Sequence, residues 1–334
     1  MTQEPLSVVI TGGAGFIGTR LAKEILARGA LPVAGAPARP VTSLALLDRV
    51  PPAAKLSTDS RVTAWQGDLA SELSGSGGGP LAAADVVFHL AAAVSGECER
   101  DFDLGMRANL ALTERVLAAC RQGGRTPVVV FSSSLAVFGG TSTHPLPDVV
   151  TDSTLPVPQS SYGIQKFIGE QLVADYSRKE FIQGRSVRLM TVSVRPGRPN
   201  AAASGFLSGI IREPLAGMPA NAPVPPDTVV ALSSPARAVE GLLRAAEAAA
   251  GEWGDPTAVN LPSVAVSVGD MVRTLEHVAG PAVSALVSWE PGEVIASIVR
   301  SWPARLSTTR AAALGLSADE SFEAIVRAYI RSIR

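Results

Sequence analysis

Tyr162 and Lys166 lie four residues apart in Tyr162-Gly163-Ile164-Gln165-Lys166, downstream of Ser132-Ser133-Ser134. On a helix that spacing places a phenol and an ammonium on one face. A free phenol titrates at about 10, too high for a base at neutral pH. A cation beside it stabilises the phenolate and lowers that value. The pair is therefore expected to take a proton from a substrate hydroxyl, while Ser134 holds the substrate oxygen. Pairs with this spacing arise by chance on many helices. Here, however, the chain has only three tyrosines (162, 176 and 329) and four lysines (23, 55, 166 and 179).

A second tract supplies the partner chemistry. Thr11-Gly12-Gly13-Ala14-Gly15-Phe16-Ile17-Gly18 follows the apolar run Ser7-Val8-Val9-Ile10. Gly12 permits a tight turn, Gly15 lets backbone approach a pyrophosphate, and Gly18 lets a helix pack closely on a strand. A helix beginning at Phe16 and Ile17 would turn its free N–H groups and positive dipole end toward the phosphates. Asp48 closes the next expected strand, where a carboxylate can accept both ribose hydroxyls of adenosine and repel a 2′-phosphate. That favours NAD over NADP, although Arg49 beside it could support a phosphate instead. The distance from Gly18 to Asp48 exceeds the usual spacing of about 20 residues, which implies an insertion over Leu31 to Val41. Asp68 is expected at the adenine edge with Leu69 on its face. Ala91 and Ala92 are small enough for a cofactor to lie close to the backbone. The whole reads as hydride transfer to a nicotinamide while the hydroxyl proton goes to Tyr162, with Lys166 also holding the nicotinamide ribose.

Positioning these groups requires alternating strands and helices. Val8 to Ile10 predicts a buried strand, and Phe16 to Arg28 a helix stopped by Gly29. Further strands are expected at Ser43 to Leu47, Val62 to Trp65, Asp85 to Leu90, Pro127 to Phe131, Ser186 to Val194 and Ala258 to Leu261. Helices are expected at Asp103 to Arg121, Ser161 to Tyr176, Phe206 to Leu215, Pro235 to Ala250, Val268 to Val278 and Ser321 to Arg331. Ser74 to Pro80 is Gly/Ser-rich and reads as a loop. The alternation implies an α/β fold, a Rossmann-type doubly wound parallel sheet with a smaller C-terminal substrate lobe. Residues 1–195, joined by 235–261, are expected to form the NAD-binding domain. Residues 196–234 and 262–334 are expected to form the lobe.

Composition agrees. Of 334 residues 46% are hydrophobic, enough for a large core. The net charge of −1 gives no basic field for nucleic acid or acidic lipid. The start, Met1-Thr2-Gln3-Glu4-Pro5, lacks the pattern of a secretion signal. The apolar stretch Leu81 to Val94 is short and carries Asp85 and His89, so no membrane span is expected and a cytoplasmic protein is the plain reading. Cys98 and Cys120 suggest neither disulfides nor zinc. His89, His144 and His277 form no metal cluster by spacing, so no metal is expected. His89, within a strand, reads as a core histidine. The last helix, with Phe322, Ile325, Val326, Tyr329 and Ile330, reads as a packing stripe.

These residues resemble the extended short-chain dehydrogenase/reductase superfamily, which includes the NAD-dependent epimerases and dehydratases. The likeness covers the glycine tract, Gly67-Asp68-Leu69, the segment around Asn109, the serine run before Val137-Phe138-Gly139, and Tyr162/Lys166. It implies that Ser134 is the catalytic serine, that Asn109 orders the site, and that the chain pairs as a homodimer through the helices bearing Asn109 and Tyr162. Phe138 departs from the tyrosine common there. A narrower likeness, to the D-erythronate dehydrogenase subgroup, rests on Val94-Ser95-Gly96-Glu97-Cys98-Glu99-Arg100-Asp101-Phe102-Asp103 and on Ser193-Val194-Arg195-Pro196-Gly197-Arg198-Pro199-Asn200. It implies oxidation of the C2 hydroxyl of a four-carbon sugar acid.

Such a substrate needs a cation for its carboxylate and polar groups for its hydroxyls. Arg198, Asn200 and Arg212 are the expected lobe contacts, since Arg grips a carboxylate with two parallel bonds. Ser95 and Glu97 are expected near the nicotinamide. Arg195 is read as structural, closing the sixth strand. Two other functions compete. A nucleotide-sugar 4-epimerase or dehydratase would use Trp289 or Trp302 to stack a base. A regulatory protein that senses NAD without turnover would not need Ser134, Tyr162 and Lys166.

Overall fold

The computed structural model describes residues 4–69, 78–197 and 202–333. Its strands are β1 (Leu6–Thr11), β2 (Ala30–Val33), β3 (Ala36–Asp48), β4 (Val62–Gln66), β5 (Val86–His89), β6 (Val128–Ser134), β7 (Gln183–Leu189), β8 (Thr191–Val192), β9 (Ala220–Asn221), β10 (Val229–Ser233), β11 (Val259–Asn260), β12 (Val264–Ser267) and β13 (Val287–Ser288). The main sheet runs β11-β7-β6-β5-β1-β3-β2, and β4 also pairs with β3. Every pairing in it is parallel except β2 with β3. The strand order reverses between β1 and β5, which opens a crevice at the carboxyl ends of those two strands.

The period of two in these strands divides their side chains between two cores. Leu6, Val8 and Ile10 of β1 and Val128 and Val130 of β6 pack with Leu21 and Ile25 of the helix Phe16–Arg28 and with Leu242 and Leu243 of the helix Pro235–Glu247. Val9, Val129 and Phe131 face the other way. They meet Val116 and Leu117 of the helix Leu112–Gln122 and Val173 of the helix Ser161–Arg178. Both faces are thus covered, and the strands read as apolar runs for that reason. Gly29 ends its helix in the left-handed region at φ 68°, its N–H donating to the Ile25 carbonyl.

Several elements differ from expectation. The segment Leu31 to Val41 is ordered as an antiparallel hairpin that extends β3 to thirteen residues. Its turn is Ala34-Gly35, at φ 52° and 79°, the left-handed pair that suits a two-residue hairpin. The turn leans on the helix Pro235–Glu247 through bonds from Ala34 N to Ala246 O (2.9 Å) and Gly35 N to Glu247 O (2.8 Å). The expected helix Asp103 to Arg121 is broken by a π-helical stretch, Met106–Ala111, which contains Asn109. The expected sixth strand is divided. β7 stays in the main sheet, while β8 joins a smaller sheet in the order β12-β10-β8.

That small sheet and the helices Phe206–Leu215, Val268–Ala279 and Phe322–Ile333 enclose a third apolar core around Leu207, Ile210, Leu232, Met271 and Val326. The stripe expected on the last helix packs here. The chain then crosses back. Ala311, Leu314 and Leu316, expected in the lobe, lie in the core of the main sheet. No helix among the described residues is long and apolar enough to cross a membrane.

His89 is buried at the end of β5, with Nδ1 2.7 Å from Thr11 Oγ1 and Nε2 2.9 Å from Thr113 Oγ1. Burial, with Lys166 nearby, lowers its pKa from 6.5 to about 3. The unfolded chain binds a proton near the ordinary value while the folded chain excludes it. The stability this represents is complete above about pH 6.5 and is lost as pH falls toward 3. Denaturant unfolding of a His89→Leu variant between pH 4 and 6 should show a shallower loss, by about 1.4 kcal/mol per pH unit. Parallel profiles for the two proteins would contradict this.

Candidate active site

A cavity of about 290 Å3 lies beyond the carboxyl ends of β1, β5 and β6. The glycine turn, the loop after β5, the serine run, Tyr162, Lys166 and the segment after β7 all line it.

At one end is the glycine turn. Gly12 has φ 72°, and a Cβ there would stand 2.8 Å from the Ala91 nitrogen. A Cβ on Gly15 would meet the Gly12 carbonyl oxygen at 3.1 Å. Only bare backbone therefore fits where these two loops meet. The helix Phe16–Arg28 begins at Gly15 without a side-chain cap, which leaves its first N–H groups for an anion. Asp48 stands beside this turn, its Oδ2 accepting from Ala14 N at 3.0 Å and its Oδ1 from Val50 N at 3.3 Å. The backbone from Gly12 to Ile17 could hold the phosphates of a dinucleotide, and Asp48 its ribose hydroxyls. Ala92 lines the cavity, and Ala91 N donates to Thr11 Oγ1 at 3.3 Å. Asp68 is exposed just past β4. Leu69 is buried in the apolar core with Val9 and Leu47, so its side chain serves packing there rather than an open adenine face.

At the other end the serines separate by role. Ser132 donates from Oγ to the His89 carbonyl at 3.1 Å, and its own carbonyl accepts from Lys166 Nζ at 2.9 Å. Ser133 donates to Glu170 Oε1 at 2.5 Å. Glu170 is also held by Arg188, through Nε at 2.8 Å and Nη2 at 2.7 Å. Ser134 is the member whose hydroxyl reaches the Tyr162 phenol.

The helix Ser161–Arg178 delivers the phenol and the ammonium. Ser160 caps it, accepting from Gly163 N at 3.1 Å. Asn109 locks this helix to the loop after β5. Its Oδ1 accepts from Ala93 N at 2.8 Å, and its Nδ2 donates to Gln165 Oε1 at 2.8 Å. The π-helical stretch turns Asn109 into that position, a common use of such distortions.

The electrostatics correct one expectation. Burial pushes the Tyr162 phenol up to about 12, outweighing the lowering by Ser134 and Arg195. The net shift is upward, the reverse of what the Tyr162/Lys166 spacing suggested. The Lys166 ammonium is turned to the Ser132 carbonyl, 5.8 Å from the Tyr162 ring centre. Burial lowers Lys166 itself to about 8, against Cys98 and Glu170, which raise it. With the cleft in this form, Tyr162 is a neutral acid.

The expected substrate contacts scatter. Ser95 lines the cavity and accepts from Ala203 N at 3.1 Å. Glu97 folds back on its own helix start, Oε2 accepting from Val94 N at 3.0 Å, because an acid three residues into a helix caps it. Arg212 lies outside the cavity lining and donates to the Arg195 carbonyl at 2.7 Å and to Glu213 Oε1 at 2.5 Å. Arg198 and Asn200 lie outside the described residues. Arg195, read as structural, lines the cavity instead. Its Nε donates to Val192 O and its Nη2 to Ser204 Oγ, both at 3.0 Å. Trp302 also lines the cavity, whereas Trp289 is exposed. The signal that could have found Arg195 is a cation just past the carboxyl end of a strand. Nothing in the sequence marked Trp302, which arrives from a distant segment. Among the described residues no cluster of metal-ligating side chains occurs.

Comparison with known proteins agrees with this arrangement. The model of the NAD dependent epimerase/dehydratase family matches residues 8–229. A D-erythronate dehydrogenase of Cupriavidus necator is 48% identical over 97% of this chain and 98% of its own length. A D-erythronate dehydrogenase of Haemophilus influenzae is 40% identical over 97% of this chain and 99% of its own. A solved nucleoside-diphosphate-sugar epimerase from Agrobacterium tumefaciens superposes with a TM-score of 0.89 at 38% identity, covering 99% of this chain and 95% of that one. With a glycine-turn cradle, a matching family model and two full-length relatives, the chain belongs to the NAD-dependent epimerase/dehydratase family.

Proposed function

We propose that this protein oxidises the C2 hydroxyl of a small sugar acid with NAD, converting D-erythronate to 2-dehydro-D-erythronate. One observation carries the reading. Lys166 and Arg195 are the charged side chains among the described residues lining the cavity, and no carboxylate lines it. In a 2-hydroxy acid the carboxylate is bonded to the reacting carbon, so its cation must stand next to the base. Arg195 lines the same cavity as Tyr162, and its charge lowers the phenol's pKa against the larger effect of burial. The names of the two relatives support the substrate.

NAD, the cofactor of the family, accepts the hydride when bound. Tyr162 receives the hydroxyl proton, and Ser134 holds the oxygen as charge develops on it. Lys166, anchored by the Ser132 carbonyl, would hold the nicotinamide ribose. Arg195 and Ser204 hold the carboxylate and orient C2. Asp48 and the backbone from Gly12 to Ile17 would hold the rest of the cofactor.

Tyr162→Phe should lower turnover by about 10²–10⁴-fold while NADH binding, followed by fluorescence titration, stays close to that of the parent. Unchanged turnover would remove the proton-transfer role. Arg195→Met should raise the KM for D-erythronate by about 10- to 100-fold, the loss of a charge-assisted hydrogen bond. Conversion of a UDP- or dTDP-sugar, with no sugar acid oxidised, would replace this reading by the epimerase one.

The phenol is protonated at neutral pH because burial raises its pKa, and oxidation needs it deprotonated. The kcat/KM for oxidation should therefore climb about tenfold per pH unit from pH 6 to 8, while reduction of the 2-keto acid does not climb. A flat oxidation profile across that range would contradict a high phenol pKa.

A further inference from the structure

Among the described residues that line the catalytic cavity, Trp302 alone lies beyond Ser204 in the sequence. It follows the helix Glu293–Arg300, and its backbone N–H donates to the Val299 carbonyl at 3.1 Å. The chain after it is strapped to Val150. Val150 N donates to Arg305 O at 3.0 Å, and Ser307 N donates to Val150 O at 2.8 Å. Leu306 packs against the buried cluster of Val137, Phe138 and Val150. Trp302 is thus fixed on both sides in sequence, and its ring packs against the cluster of Leu135, Met190 and Ala231.

These contacts place the ring at the reacting end of the cleft. Leu135 and Met190 line the cavity too, and Leu135 directly follows Ser134, whose hydroxyl reaches the Tyr162 phenol. The helix Glu293–Arg300 packs against the turn Ala203–Gly205, which carries Ser204, the partner of Arg195. In a nucleotide sugar the base is separated from the reacting sugar by a ribose and two phosphates. An indole packed beside Leu135 is therefore poorly placed to stack a base and well placed to meet the substrate itself. Its Nε1 is buried and meets no acceptor, so the ring acts through its bulk and apolar face. Space is short as well. Cavities that hold a small ligand run from about 300 Å3 upward. This one, about 290 Å3, must also admit the nicotinamide end of the cofactor.

We propose that Trp302 is the end wall of the substrate compartment and sets the chain length of the acid that is oxidised. The inference rests on the sugar-acid reading above. With C2 at Tyr162 and the carboxylate at Arg195, the remaining carbons run toward the indole, which admits a four-carbon chain and rejects longer ones. Because the wall comes from a segment that supplies no other lining residue, it can change without disturbing the cofactor cradle or the proton-transfer groups.

The test is NADH formation by the full chain with D-erythronate, D-ribonate and D-allonate, which share their configuration at C2 and C3 and differ in length. The parent should prefer D-erythronate to D-ribonate by about 10–200-fold in kcat/KM, the scale on which a pocket discriminates one carbon. Trp302→Ala should shrink that preference about tenfold or more, and Trp302→Leu should shrink it less. Trp302→Phe, which keeps a ring without the N–H, should retain most of it. NADH binding, followed by fluorescence titration, should match the parent in all three variants. Should Trp302→Ala fail to fold, Trp302→Leu decides. Equal oxidation of the three acids by the parent, or an unchanged preference in the folded Ala and Leu variants, overturns the wall and leaves the sugar-acid reading standing. A loss in Trp302→Phe as large as in Trp302→Ala overturns it too, since the N–H and not the bulk would then be selecting. A parent that oxidises none of these acids overturns the sugar-acid reading, and the wall with it.

Discussion

Lys166 donates from Nζ to the Ser132 carbonyl inside the protein, with Phe131 packed against the same ammonium at 4.8 Å. That bond sets how the helix Ser161–Arg178 sits on β6, and through it where Tyr162 meets Ser134. A second tie, Asn109 to both Ala93 and Gln165, joins the loop after β5 to the same helix. A third, Ser133 to Glu170 and on to Arg188, extends the lock to β7. Three neighbouring serines thus serve three purposes. Two of them hold the frame, and the third is left to face the phenol.

The frame also decides the charge state of the site. Desolvation of the Tyr162 phenol raises its pKa by more than Ser134 and Arg195 lower it. The Tyr162 phenol is therefore held as an acid, with Lys166 Nζ 5.8 Å from its ring centre and Arg195 lining the same cavity. Among the described residues the cavity lining holds Lys166 and Arg195 and no carboxylate, a charge balance that suits an anionic guest.

The parallel sheet and the glycine turn were legible because each depends on local signals: apolar runs and glycines at required spacings. The place of Asp48 at the end of its strand, beside the glycine turn, was legible despite its unusual distance from Gly18, because the strand pattern resumed after the insertion. The hairpin in that insertion was not, since Pro37 and Pro40 spoil an ordinary strand pattern while sitting harmlessly at an antiparallel edge. The contrast of Arg195 with Arg212 shows where sequence reasoning stops. Both are arginines on segments near the lobe, and only three-dimensional packing turns one into the cavity and ties the other to Glu213. Glu97 illustrates the same limit, because a capping acid and a substrate-binding acid look alike until the helix start is placed.

The return of the chain at Arg310 bears on how such a protein can change over time. After building the smaller core, the polypeptide threads back so that Ala311, Leu314 and Leu316 complete the larger one, before departing again for the last helix. The halves are laced rather than concatenated. Recombination that exchanged only the terminal third would leave a gap beneath the cofactor-binding sheet, so new specificities are more readily reached by altering short segments around the cleft than by trading whole modules.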